Sequence, residues 1–267
     1  MKIIMLGTGN AVSKKYYNTC FIIDNDGQYM LVDGGGGNQL LILFDKVGIN
    51  INSIKDVFVT HKHLDHLFGI IWLLRMVCQA MNRGQYNGNL NIYTCKEVAE
   101  LIKYIGTNLI RKKDAVLIGN RVVFHEVFDG EKIDIIGKQF TFFNIHSKKD
   151  TQFGFRLELD DDKSLVCCGD EPYNDSIFKY INGCTWLMHE AFCLDSQANI
   201  FNPYEKSHST VKDACTAAEN LGVKNLILYH TEDKTFGSRK RLYYEEGKEY
   251  FSGKFYIPDD LEILTVT

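Results

Sequence analysis

Short apolar runs bounded by Gly, Asn and Asp alternate with longer periodic ones along this chain. Lys2–Leu6 predicts a buried strand that turns at Gly7-Thr8-Gly9-Asn10. Cys20–Asp24 and Tyr29–Asp33 predict a hairpin through Asn25-Asp26-Gly27. Gly34–Gly37 then leads into an apolar-periodic helix over about Asn38–Val47. That glycine run lacks the Lys-Ser/Thr of a phosphate-binding loop. It reads instead as close backbone packing near Asp33, whose carboxylate is expected to bond the loop after the next strand. Asp56–Thr60 predicts that strand, His66–Met81 a strongly apolar helix containing Trp72, Leu90–Thr94 a strand and Lys96–Ile105 a helix. Lys112–Asp114 reads as a solvated connection, and Val122–Val127, Lys132–Ile136 and Gln139–His146 as a β-meander.

The second half repeats the plan. Phe153–Leu159 and Ser164–Cys168 predict a hairpin through Asp160-Asp161-Asp162, followed by a short helix over Asp175–Ile181 and a strand over Thr185–Met188. Ser209 reads as the N-cap of a helix to about Leu221, with Val211, Ala214, Cys215, Ala218 and Leu221 on one face. Asn225–Tyr229, Ser238–Tyr250 and Glu262–Val266 predict a strand, a helix and a strand. Each half runs from strands into strand–helix units. The expected fold is therefore α/β: two sheets face to face with helices outside, an αββα four-layer sandwich forming one domain over 1–267.

Composition changes this picture little. The chain has 267 residues, 45% hydrophobic and 24% charged, which is ordinary for a globular protein, and its three prolines mark no linker. The opening MKIIMLGTGNA is too short an apolar run for a signal peptide. No apolar run approaches the ~20 residues of a membrane span, so no membrane is expected. Eight cysteines without a CxxC pair suggest buried free thiols in a reducing cytoplasm. The formal net charge of −4 argues against a surface built to grip a phosphate backbone.

The chemistry concentrates in Val57–His66. His61, His63, Asp65 and His66 put three imidazoles and a carboxylate, the usual ligands of zinc and similar divalent metals, just after an apolar strand. His61 and His63 cannot share a helix face but can leave a strand end together. Asp65 and His66 fall on a helix start, so the spacing suggests two neighbouring metal sites. His146, Asp170, His189 and His230, like His61, each follow a predicted strand end, where stiff backbone can hold ligands at fixed separations.

The HxHxDH pattern at His61–His66 resembles that of the metallo-β-lactamase-fold hydrolases. The resemblance implies that His61, His63 and His146 hold one metal, that Asp65, His66 and His230 hold another, and that Asp170 bridges them. It implies two divalent ions per chain, zinc before manganese, activating a water for attack. His189-Glu190-Ala191 and His208-Ser209-Thr210 resemble the HEAT and HST motifs of the tRNA 3′-processing endonucleases, ribonuclease Z. By that resemblance His208 is a general acid oriented by Glu190, and Asp65 belongs to the catalytic set. The role of His189 stays open, and His125 is expected to be structural.

The chain departs from the long-armed enzymes of that family, which insert a tRNA-gripping arm before the bridging aspartate. Here Phe153-Gly154-Phe155-Arg156 runs into a tight acidic hairpin, expected to repel tRNA. It is similar in this to arm-less phosphodiesterases that hydrolyse 3′,5′-cyclic nucleotides, among them the anti-Pycsar proteins with which phages evade defence. The implied reaction is hydrolysis of a cyclic nucleotide to a nucleoside monophosphate, by a homodimer. A tRNA endonuclease, or another small phosphoester or sulfoester hydrolase, is the alternative. Lys234, Arg239, Lys240 and Arg241 are the expected positive wall, and one of Phe153, Phe192, Phe201, Tyr204 and Phe236 the expected base-stacking group.

Overall fold

Apolar residues with a period of two on both faces produce strands that must be covered twice, and the chain does this with two seven-stranded sheets. The computed structural model describes residues 1–267. The first sheet takes β1 (Lys2–Gly7), β2 (Cys20–Asn25), β3 (Gln28–Val32), β4 (Ile54–Phe58), β5 (Leu90–Thr94) and β6 (Val122–Glu126). The second takes β7 (Lys132–Ile135), β8 (Lys138–Asn144), β9 (Phe153–Glu158), β10 (Ser164–Cys167), β11 (Trp186–Glu190), β12 (Asn225–Tyr229) and β13 (Lys254–Tyr256). Finally β14 (Ile263–Thr265) returns to the first sheet beside β1.

Each sheet begins with antiparallel pairs and changes to parallel ones, at β3–β4 in the first and β10–β11 in the second. Parallel neighbours need crossovers, and helices supply them. In the first half these are α1 (Gln39–Val47), α2 (Leu64–Asn82), α3 (Lys96–Leu109) and α4 (Lys112–Ala115). In the second they are α5 (Phe178–Ile181), α6 (Ala198–Phe201), α7 (Val211–Asn220) and α8 (Arg239–Gly247). Alternation is clean along β10. Leu165 and Cys167 join the large core that both sheets share, while Val166 and Cys168 face the core under α7 and α8. The four-layer α/β sandwich is thus the observed fold, and all eight cysteines are buried free thiols.

Several local expectations change. β6 belongs to the first sheet and β7–β8 to the second, so the meander is broken by a crossing between sheets. In the Lys112–Asp114 connection the two lysines are exposed as expected, but Asp114 is buried and accepts from Asn82 and Arg111. Burial opposes ionisation of Asp114, but those donors outweigh it and hold the carboxyl below its usual range. Thr210, not Ser209, caps α7, through a capping box with Asp213. The Asp160–Asp162 turn lies at the end of the strands away from Asp170, beside Asn25 and Asp26. Its charge therefore does not face the metal centre. Helix α2 is long and apolar enough by composition to cross a membrane, contrary to expectation, yet two-thirds of it is buried in the protein. Gly34 and Gly69 let its first turns meet the glycine run, since a Cβ on Gly69 would stand 1.8 Å from the Gly34 carbonyl oxygen.

Candidate metal centre

The loop after β4 and the first turn of α2 carry the histidine cluster. His63 is the N-cap of α2, which places Asp65 and His66 on its first turn. Asp170 follows β10 by three residues, and His230 follows β12 directly with left-handed backbone (φ 59°). His61, Asp65, His66, Asp170 and His230 are all buried at this end of the sandwich. Donor atoms of His61, His66 and Asp170 lie within 4.8 Å of one another, as do those of Asp65, His66 and His230.

Hydrogen bonds behind the cluster decide which nitrogen of each ring faces it. The Thr60 hydroxyl donates to Asp33 Oδ2 (2.8 Å) and so must accept from His61 Nδ1 (2.8 Å). The Thr19 hydroxyl donates to the Gly9 carbonyl (3.1 Å) and accepts from His230 Nδ1 (3.1 Å). His66 Nδ1 donates to Asp33 Oδ2 at 2.7 Å. All three imidazoles therefore turn Nε2 inward, at 3.6 to 3.8 Å from the Asp170 carboxylate. Asp33 braces two of them at once and also accepts from the Thr60 backbone N–H, the bond to the metal-loop backbone that the sequence suggests. Thr60 and Thr19 were not foreseen. Thr60 adjoins His61, but Thr19 lies 211 residues from its partner.

Burial pushes the His61 and His230 imidazoles down, the latter to about 4, so both stay neutral. Asp65 and Asp170 are held below the usual carboxylate range: burial opposes this, and neighbouring histidine charge, with His66 beside both, outweighs it. His66 is raised, because Asp65 and Asp33 outweigh the effect of burial. Buried Asp170 Oδ1 and His66 Nε2 make no well-formed hydrogen bond, with only His61 Nε2 at 3.6 Å from the first and the Asp65 carboxylate at 3.4 Å from the second. Such orphans are costly unless something binds them. The carboxylates with the neutral inward nitrogens of His61 and His230, and with His66 Nε2 once its proton is displaced, are the donor set that divalent metal prefers, so the residues fit the metal that the resemblance implies.

Of the remaining expected ligands, His63 sits at the rim of the cluster against His61, and His146 stands apart. His63 is about one-third exposed, with one ring nitrogen 2.9 Å from His61 Nε2 and the other 3.1 Å from Asp150. His146 is exposed, with left-handed backbone, and lines a polar surface hollow beside Ser147, Lys149 and Asp150. The preceding Ile145 takes the buried position. Lys62 and His63 both bind Asp150, while Lys149 and Ser147 bind the buried Glu171. These contacts hold the segment away from the cluster.

His208 and Glu190 do meet beside the centre. His208 Nδ1 is 3.6 Å from Glu190 Oε2, and both atoms are buried without a hydrogen bond. The other oxygen of Glu190 accepts from the Ser209 backbone N–H. Burial lowers the His208 pKa, but Glu190 outweighs it, and the net shift is upward. A donor atom of His208 also lies within 4.8 Å of Asp170 and His230. His189 has a structural role. Its Nδ1 donates to the Glu190 carbonyl (2.6 Å) and its Nε2 accepts from the Tyr173 N–H (2.9 Å), fastening the turn after Asp170 to β11. His125 stacks on Tyr93, far along the sheet. The expected positive wall is largely absent. Arg239 is fully buried on Thr8, Thr231, Pro258 and Asp259, while Lys240 pairs with Asp259 and Glu262, and Arg241 with Glu245. Lys234 alone stays by the site, over the Phe201 ring.

A buried imidazole–carboxylate centre at one end of an αββα sandwich defines a metallo-β-lactamase-fold, metal-dependent hydrolase of the ribonuclease Z-like group. The chain belongs to the family of the anti-Pycsar protein Apyc1, whose profile matches residues 1–246. It is 27% identical to a ribonuclease Z of Methanococcus aeolicus, over 92% of this chain and 88% of that one. Its fold is that of the metallo-β-lactamase fold protein YhfI from Bacillus subtilis (20% identity, TM-score 0.77, 98% of both chains). It is equally that of the short form of human tRNase Z (19% identity, TM-score 0.75, all of both chains). Together these make the protein a metal-dependent phosphoesterase that uses divalent metal.

Proposed function

We propose that this protein hydrolyses 3′,5′-cyclic nucleotides to nucleoside monophosphates. The observation that carries the reading is the His208–Glu190 pair beside the metal centre, in a chain of the Apyc1 family. His61, Asp65, His66, Asp170 and His230 would hold the metal, with His63 and His146 completing the set of the two-ion site. Bound divalent ions supply Lewis-acid charge and a more acidic water. Zinc suits the imidazole-rich donors, and manganese the carboxylates.

The chain's own residues do the rest. Asp65 stays ionised among the imidazoles and keeps the floor of the site negative toward cations. Protonated His208 gives its proton to the departing ribose oxygen, which would otherwise leave as an alkoxide. Glu190, wholly buried, stabilises the imidazolium before transfer. The turn between β9 and β10 spans five residues, Leu159–Lys163, and carries no inserted arm.

A tRNA 3′ endonuclease is the second reading, favoured by the ribonuclease Z relative that spans most of the chain. The test is to incubate metal-loaded protein with the four common 3′,5′-cyclic nucleotides and with a precursor tRNA. Cyclic-nucleotide hydrolysis is expected. Clean tRNA trimming with all four nucleotides intact would replace this reading with the second. His208→Ala should slow the favoured reaction by about 10²- to 10⁴-fold with bound metal unchanged. Loss of metal instead would make His208 a ligand.

A further inference from the structure

We infer that Phe192 is the positioning residue for His208, setting the plane of its imidazole so that the proton is aimed at the leaving oxygen. The inference rests on the acid role proposed for His208. It starts from an anomaly in how that ring is held. A catalytic histidine is ordinarily oriented by a hydrogen bond to one of its nitrogens. Here the Nδ1–Glu190 separation of 3.6 Å is too long for one, and Nδ1 has no other partner. Charge attraction at that distance is weakly directional and leaves the ring free to tilt.

Stacking supplies the missing constraint. The rings of Phe192 and His208 have centroids 5.1 Å apart and are parallel within 5°. His230 meets His208 at 5.2 Å but tilted by 36°, so it limits the position of the ring without setting its plane. Phe192 is itself well anchored. Its backbone N–H donates to the Ser209 carbonyl (2.9 Å), and its carbonyl accepts from the Glu232 N–H (2.8 Å) and the Tyr243 hydroxyl (3.2 Å). Its ring is 5% exposed, with Phe201 edge-on at 6.1 Å and the Lys206 ammonium 5.0 Å from its centroid. The platform is therefore tied to the strand that carries Glu190, to the residue after His208 and to the segment after His230. A filler residue of equal volume would occupy the space, but only a flat ring fixes a plane.

The test uses Phe192→Leu, and Phe192→Met as a second variant that keeps volume in a flexible side chain. Phe192→Tyr is the conservative rescue. Each is assayed on 3′,5′-cyclic AMP, whose ribose oxygen needs a proton to leave, and on bis(p-nitrophenyl) phosphate, whose nitrophenolate does not. Thermal unfolding and bound metal are measured alongside. For Leu and Met, kcat on cyclic AMP should fall about 10- to 100-fold, a part of what a positioned acid contributes, with KM nearly unchanged. Turnover of the nitrophenyl ester should stay close to wild type, and Tyr should restore cyclic AMP turnover. Equal losses on both substrates, a Tyr variant as poor as Leu, or no loss at all would overturn the inference. If wild-type protein leaves cyclic AMP intact but hydrolyses another of the four common 3′,5′-cyclic nucleotides, that nucleotide takes its place; if all four stay intact, the substrate reading falls. The same comparison then runs on precursor tRNA, by the same criteria.

Discussion

Asp33 shows how much of the site hangs on one carboxylate that faces away from it. Left-handed backbone at the end of β3 (φ 56°) aims its oxygens at the Thr60 hydroxyl and N–H and at His66 Nδ1. Through Thr60 it also fixes the tautomer of His61. Partners that orient histidine ligands commonly matter 10- to 100-fold in metal affinity. Asp33→Asn is expected to weaken metal binding by about that factor, read by competition with a chromogenic chelator. Unchanged affinity would mean that Thr60 and the loop backbone suffice. Asp33 was legible because it ends a strand beside a glycine run. Phe192 appeared only as one of five aromatics, because stacking on His208 is a property of ring planes that spacing does not encode.

At the scale of elements, strands were the easier part and their partners the harder. Short apolar runs marked β1 to β5 and β9 to β12 within a residue or two, since strands covered on both faces are apolar nearly throughout. Where the chain changes sheets after β6, nothing local distinguishes a crossing from a meander. The segment 145–151 carries the functional question at this scale. Asp150 holds His63, and Glu171 holds Lys149 and Ser147, which leaves His146 outside. If His63 and His146 bind metal, those contacts must exchange for metal ligation. Amide hydrogen exchange in 145–151 is therefore expected to slow on metal loading, with β8 and β9 unchanged. Identical exchange with and without metal would remove His146 from the ligand set.

For the molecule as a whole, the centre lies at one end of both sheets and joins the two halves. The β4 loop and α2 bring His61, Asp65 and His66 from the first half, and β10 and β12 bring Asp170 and His230 from the second. Metal that binds only this assembled cluster stabilises the fold by about 2.7 kcal/mol at 100-fold excess over Kd. For a chain of this size that is roughly 5 to 10 °C in Tm. Differential scanning fluorimetry with and without chelator reads it directly. A Tm that ignores chelation would mean that the five buried groups do not share an ion.

The sequence by itself determined the candidate ligand types, their tight spacing at His61–His66, the sandwich of strands and helices, and the His208–Glu190 motifs. All of these follow from local periodicity and short motifs. Tertiary structure alone decided which imidazole nitrogen faces Asp170, why Arg239 is a buried brace rather than a positive wall, where the acidic turn points and what holds His208 in plane. The reason is physical. Patterning reports neighbours a few residues apart, whereas Thr19 reaches His230 across 211 residues and Arg239 reaches Thr8 across 231. Such contacts exist only once two sheets have packed and brought their loops to the same end.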